Sequence, residues 1–103
     1  MAKGYWINQS DITDEARQGV YAKAVAEYLG RLGAKTLVKS EPGSRREVVE
    51  GSVRSRQLIQ EFADYESALA AYHSEEYQEI KKLRRDAETI DLVIAEGFDP
   101  PAH

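Results

Sequence analysis

Two residues stand where they could move a proton or make a directed hydrogen bond: His73 and Asn8. Six more could hold a ligand: Trp6, Tyr72, Tyr77, Arg56, Glu50 and Arg84. His73 is the only histidine outside the C-terminal tail. Its imidazole is therefore the one side chain there that titrates near neutrality without perturbation. It falls at an expected break between two helices, from which a ring can be aimed into a cavity. The alternative is a helix-end ring that complements the dipole and faces solvent. Trp6 and Asn8 are two residues apart on an expected strand and so share a face. An aromatic of that size also serves as ordinary core. Tyr72 and Tyr77, with Tyr21 and Tyr28 behind them, would line a cavity with hydroxyls or fill a core with one wet end. Arg56 opens an apolar strand. Its planar guanidinium matches a carboxylate, so it reads as an anion clamp, or as half of a structural pair with Glu50 or Glu61. Arg84 is expected to reach inward in the same way.

Other chemistries are excluded or unsupported. There is no cysteine, so thiol catalysis, disulfides and thiolate metal sites are ruled out. Two histidines, one of them terminal, and scattered carboxylates suggest no metal site, and no cofactor is implied. GSRREVVEG lacks the spacing of a phosphate loop, and no Ser-His-Asp set stands out. The net charge of -4 argues against a phosphate-backbone binder, because the basic clusters at Arg45-Arg46, Arg54-Arg56 and Lys81-Arg85 are interleaved with acids. No apolar run approaches the roughly 20 residues of a membrane helix, and MAKGYWINQS is no secretory signal. The expectation is a cytoplasmic, bacterial protein with no nucleic-acid or membrane partner.

The elements that must position these residues follow from periodicity. A chain of 103 residues, 42% apolar and 31% charged, has the balance of one globular domain, expected over 1–97 with a tail over 98–103. GYWINQ alternates Tyr5, Ile7 and Gln9 against Trp6 and Asn8, with large groups on both sides, which suits a sheet covered on both faces. Thr13 or Asp11 is the expected cap of a helix from Asp14 to Leu32, with Tyr21, Val25, Tyr28, Leu29 and Leu32 as its apolar stripe, widened by Val20 and Ala24. Gly33 suits its left-handed end, and Gly19 marks a close approach or a tolerated exposed glycine. Strands follow at 34–40, at 47–50 after a turn on Glu41-Pro42-Gly43-Ser44, and at 56–62, where Leu58 and Phe62 oppose Ile59. Asp64 caps a helix with Ala68, Leu69 and Tyr72 inside, and Ser74 caps another reaching about Asp86, with Tyr77, Ile80 and Leu83 or Arg84 on one side. The last strand spans 89–95, and Pro100 and Pro101 end regular structure. The order predicts an α+β, ferredoxin-like βαββαβ fold with a broken second helix. Its uncovered apolar sheet face predicts a homodimer about a two-fold axis.

KGYWINQSDITD, VVEG, RQLIQEFADYESALAAYHSEEYQEIKKLR and the closing strand together resemble the domain of unknown function 1330 family, across nearly the whole chain. Glu75 stands where that family usually has proline, which leaves the cap intact. The resemblance implies a dimeric α+β barrel with a pocket between helices and sheet. It carries no assigned activity. The wider barrel group includes cofactor-independent monooxygenases, haem-degrading enzymes, muconolactone isomerases and dye-peroxidase-like proteins. Asn8 and His73 fall at places broadly similar to an Asn and a His of some haem-degrading members, whereas Trp6 does not match their Trp.

The functional expectation is a small, partly apolar organic ligand bound between sheet and helices. Turnover, if any, would be by a cofactor-independent oxygenase or isomerase, which needs neither metal nor thiol. The alternative is a non-catalytic binding or structural dimer with a filled core.

Overall fold

A computed structural model describes residues 2–99. The expected proline stop at Pro100 and Pro101 lies outside them. The elements run β1 (Gly4–Ile12), α1 (Glu15–Arg31), β2 (Lys35–Ser40), β3 (Arg56–Phe62), α2 (Tyr65–His73), α3 (Glu75–Lys81), a 3-10 turn (Lys82–Arg84) and β4 (Glu88–Glu96). The sheet order is β2-β3-β1-β4, every neighbouring pair antiparallel, which is the ferredoxin-like βαββαβ arrangement with its second helix broken. The extents, 48 × 38 × 18 Å, are those of one helical layer on one sheet. Among the described residues no helix is long and apolar enough to cross a membrane.

Three side chains punctuate the helices. Asp14, not Thr13 or Asp11, caps α1 by accepting from the Arg17 amide at 3.0 Å. Asp11 is occupied elsewhere, accepting from Ser55 and Arg54, which holds its carboxyl below its ordinary pKa. Asp64 caps α2 through the Ser67 amide. Ser74 has an extended backbone (ψ 150) that ends α2, and its hydroxyl accepts from the Tyr77 amide at 3.0 Å to start α3. Tyr28 reaches into that break from α1, donating to the Ala71 carbonyl at 3.0 Å and lying 2.6 Å from the Ser74 hydroxyl. The break is thus filled by hydrogen bonds that the interrupted helix could not make to itself.

The core lies between helices and sheet and is aromatic: Trp6, Phe62, Tyr21, Tyr28 and Tyr77, with Leu29, Ala68 and Ala71. Trp6 meets Tyr77 edge-on at 5.1 Å and Phe62 at 5.2 Å, and its indole N–H donates to the Ala68 carbonyl at 2.8 Å. The outer part of the expected α1 stripe faces water instead, since Val20 and Leu32 are exposed. Gly33 ends α1 with φ +77, as a left-handed terminator should. A Cβ on Gly19 would meet nothing within 4 Å, so this glycine serves no close approach.

The expected strand at 47–50 is absent. Residues 41–55 form one irregular connection in which Val48 and Val49 are exposed. Two valines favour extended backbone, but no strand lies beside them to complete a ladder. A turn holds the start of this connection, where the Ser44 amide donates to the Glu41 carbonyl at 2.9 Å. Its end is pinned across the open sheet face, where the Arg54 guanidinium reaches Asp91 at 2.6 Å and Asp11 at 3.0 Å.

Candidate functional site

Beneath α1 is a cavity of about 240 Å³. The cross-strand register lays out its floor in rows. Thr36, Gln60 and Trp6 share one row; Lys39, Leu58, Asn8 and Leu92 the next; Arg56, Ser10 and Ile90 a third; and Glu88 stands beyond, opposite Ile12. The helical roof carries Gln18, Tyr21, Ala22, Val25, Ala26 and Leu29, and Tyr77 closes one end. Strand alternation puts every floor residue on the helix side of the sheet.

One bulge decides a part of this. Thr36 pairs with Gln60 but Val38 pairs with Ile59, so Leu37 is the extra residue. Without it Lys39 would face away from Thr36; with it Lys39 joins the cavity side.

Asn8, Ser10 and Gln60 are buried, and among the described residues their side chains make no hydrogen bond to protein. Their polar atoms meet the cavity instead, a floor of donors and acceptors beneath an apolar roof. Such a combination, apolar walls with a few convergent polar groups, is what small-molecule sites share.

At the Tyr77 end the cavity borders a charged cluster. The Tyr21 and Tyr77 hydroxyls are 2.8 Å apart and buried. Burial, reinforced by Tyr77, pushes the Tyr21 phenol well above its ordinary pKa, so it stays a neutral donor. The Arg84 guanidinium lies 5.2 Å over the Tyr21 ring. Burial works against its charge, but the Tyr77 and Tyr21 oxygens more than offset that and raise its pKa. Arg84 Nε is 4.0 Å from a Glu88 carboxylate oxygen, and both side chains are nearly buried, at 11% and 2% exposure.

The expected site residues are divided by the structure. Asn8, Trp6, Tyr77 and Arg56 line the cavity together. Tyr72 stands behind the lining, 5.1 Å from Tyr77 and 6.0 Å from Trp6, and its hydroxyl accepts from Lys81 at 2.9 Å. Arg84 is the neighbour of lining residues rather than one of them. His73 is exposed at the end of α2 and does not reach the cavity; its ring rests edge-on against Tyr72 at 5.3 Å. Ala71 is the buried residue of that turn, and His73, two positions on, is turned about 200° from it. Glu50 is exposed in the 41–55 connection and pairs with nothing inward. Neither Glu50 nor Glu61 is the partner of Arg56: Glu41 is, at 3.5 Å. Glu61 faces the other side and accepts from the Tyr5 hydroxyl.

Sequence reasoning passed over Ser10, Gln60, Lys39 and Glu88. Alternation could have found three of them. Ser10 follows Trp6 and Asn8 by two, Gln60 lies between Leu58 and Phe62, and Glu88 precedes Ile90 and Leu92 by two. The expected first strand stopped at Gln9 and the last began at Thr89, one or a few residues short of the real Ile12 and Glu88. Among the described residues no group of three or more histidine, aspartate or glutamate side chains is placed to hold a metal ion.

Residues 3–98 match the model of a family described as Domain of unknown function (DUF1330). No curated protein matches the chain. Among solved structures, a protein of unknown function from Rhodopseudomonas palustris is similar at 14% identity and TM-score 0.74, over 96% of this chain and 85% of that one. SnoaB from Streptomyces nogalater, named as a cofactor-independent oxygenase, is similar at 14% identity and TM-score 0.62, over 100% and 97%. A candidate antibiotic biosynthesis monooxygenase from Nitrosomonas europaea is similar at 16% identity and TM-score 0.59, over 98% and 94%. Identities this low speak to the fold alone.

Proposed function

The chain belongs to the family described as Domain of unknown function (DUF1330), and we propose that it binds a small, partly apolar organic molecule in the cavity beneath α1. The observation that carries this reading is the cavity itself, with Asn8, Ser10 and Gln60 facing it unpartnered below an apolar roof. Their polar atoms are left free to pair with a ligand that enters the cavity. Trp6, Leu29 and Tyr77 supply apolar walls, and Asn8 supplies directed hydrogen bonds.

Where turnover follows binding, the reaction class that suits this site is oxygenation or isomerisation of a substrate activated by its own conjugation. Glu88 is the carboxylate on the lining and would accept the substrate proton. The named activity of SnoaB supports this class through the shared fold. A second reading, binding without turnover, is favoured by His73, whose exposed position leaves the cavity without an imidazole.

The test is native mass spectrometry of gently purified protein. A retained small molecule is expected in the wild type and not in Ala22→Phe, whose ring would enter the cavity from α1, with helical circular dichroism unchanged. Wild-type protein that never carries or takes up an organic molecule overturns the proposal.

We also propose a homodimer through the open sheet face. Val38, Ile59, Ile7 and Val93 form one row across all four strands of that face. Val93 is 56% exposed, and a single apolar row is self-complementary about a two-fold axis. Sedimentation should give twice the chain mass for the wild type and the chain mass for Val93→Asp. A wild-type monomer at micromolar concentration overturns this part.

A further inference from the structure

We propose that the ligand of the cavity is an organic acid, its carboxylate held at the Arg56–Lys39 end and its apolar body beneath α1. This inference rests on the binding reading above and narrows it.

Arg56 pairs with Ser10 across β3 and β1, and Lys39 pairs with Leu58, the partner of Asn8. Arg56 and Ser10 are therefore side by side, about 5 Å from strand to strand, and Lys39 and Asn8 flank Leu58 in the next row. The Arg56 side chain is only 17% exposed. Its single ion pair engages Nε, at 3.5 Å from a half-exposed Glu41, and its two terminal nitrogens make no hydrogen bond among the described residues. Those nitrogens are the pair that takes a carboxylate in bidentate fashion. Lys39 has no ion pair among the described residues, and it faces the cavity only because of the bulge at Leu37.

The one carboxylate on the lining, Glu88, does not neutralise this end. It stands on β4, two strands across from Arg56 and one row beyond it, with Arg84 as its neighbour. The uncommitted charge of the lining is thus positive, at Arg56 and Lys39, while Trp6, Leu29 and the Tyr77 ring supply apolar surface. A cavity of this polarity selects a molecule with an acidic head and an apolar body.

The experiment compares 4-isopropylbenzoate with 4-isopropylbenzamide, the same body with and without the charge, by titration calorimetry. The wild type should bind the acid roughly tenfold or more tighter than the amide. Arg56→Gln should erase that preference, and Lys39→Gln should reduce it. Added salt should weaken the acid and not the amide. An amide bound as tightly as the acid, or a preference that survives Arg56→Gln, overturns the acid inference and leaves the pocket reading intact. Failure of both probes to bind, or equal binding by Ala22→Phe, overturns the pocket reading and this inference with it.

Discussion

Gly4→Ala should be the most damaging single methyl in this protein. A Cβ on Gly4 would lie 2.6 Å from the Asp64 carbonyl carbon and 2.8 Å from the Tyr65 Cα. Both atoms are backbone, so no side chain can swing aside. Moving them means moving the cap of α2, since Asp64 is the residue whose carboxylate holds the Ser67 amide. Gly4 itself is fixed between Phe62 and Glu96 in the sheet and has no room to retreat. The cost should be on the order of 3 kcal/mol, the upper end for overpacking, and the melting temperature should fall by roughly 10–20 °C for a domain of this size. Gly19→Ala provides the control. The same change there meets nothing and removes the helix penalty of glycine, so stability should rise by about 0.5–1 kcal/mol. Thermal melts followed by circular dichroism would show opposite signs for one chemical substitution. Equal effects would mean that the contact between β1 and the start of α2 is not as close as described.

Trp6→Ala should cost about 3–5 kcal/mol, which is a large share of the roughly 5–15 kcal/mol that holds a domain together. The indole is 2% exposed, touches Phe62, Tyr72 and Tyr77, and donates to Ala68. Truncation leaves a void next to an existing cavity, so the surroundings have little material with which to collapse. Trp6→Phe keeps most of the apolar area and loses the hydrogen bond, so its cost should be nearer 1 kcal/mol. Urea unfolding monitored by circular dichroism separates the two, with midpoints falling in that order and slopes unchanged. Fluorescence is unsuitable because Trp6 is the only tryptophan. The question of whether Trp6 is core or cavity wall has a double answer: the same ring packs on Phe62 and lines the cavity.

Much of the fold was legible because it is written in short-range physics. Side-chain alternation assigned Trp6 and Asn8 to one face of β1 and Ile7 to the other, as the register shows. The Asp64 and Ser74 caps were visible as residue types at the right offset, and each makes its hydrogen bond. Where two short-range signals competed, the reading failed. Thr13, Asp11 and Asp14 are all capping residues within a few positions, and the choice fell to Asp14 because Arg54 and Ser55, far along the chain, engage Asp11. Val48 and Val49 favour extended backbone, yet a strand needs a neighbour, and none is there.

The candidate site was legible in part for the same reason. Asn8, Trp6, Tyr77 and Arg56 could be named because periodicity turns them inward. Of the two readings open for His73, the structure shows the solvent-facing one, because a helix break sets where the chain turns, while the phase of the helix sets which residue turns in, and that phase favoured Ala71 and Tyr77.

By itself, the sequence determined the order of the elements, the faces of the strands and the points where helices begin, because each depends on residues a few positions apart. Only the tertiary structure decided that the space beneath α1 stays partly open. That depends on how far Tyr21, Val25 and Leu29 stand from a floor built of three distant strands. It also decided that Lys39 faces the cavity, since a bulge at Leu37 is fixed by pairing with β3 and not by the local chain. The partner of Arg56 and the enclosure of Glu88 by Arg84 were decided in the same way, by contacts between side chains that the folded sheet and helices bring together.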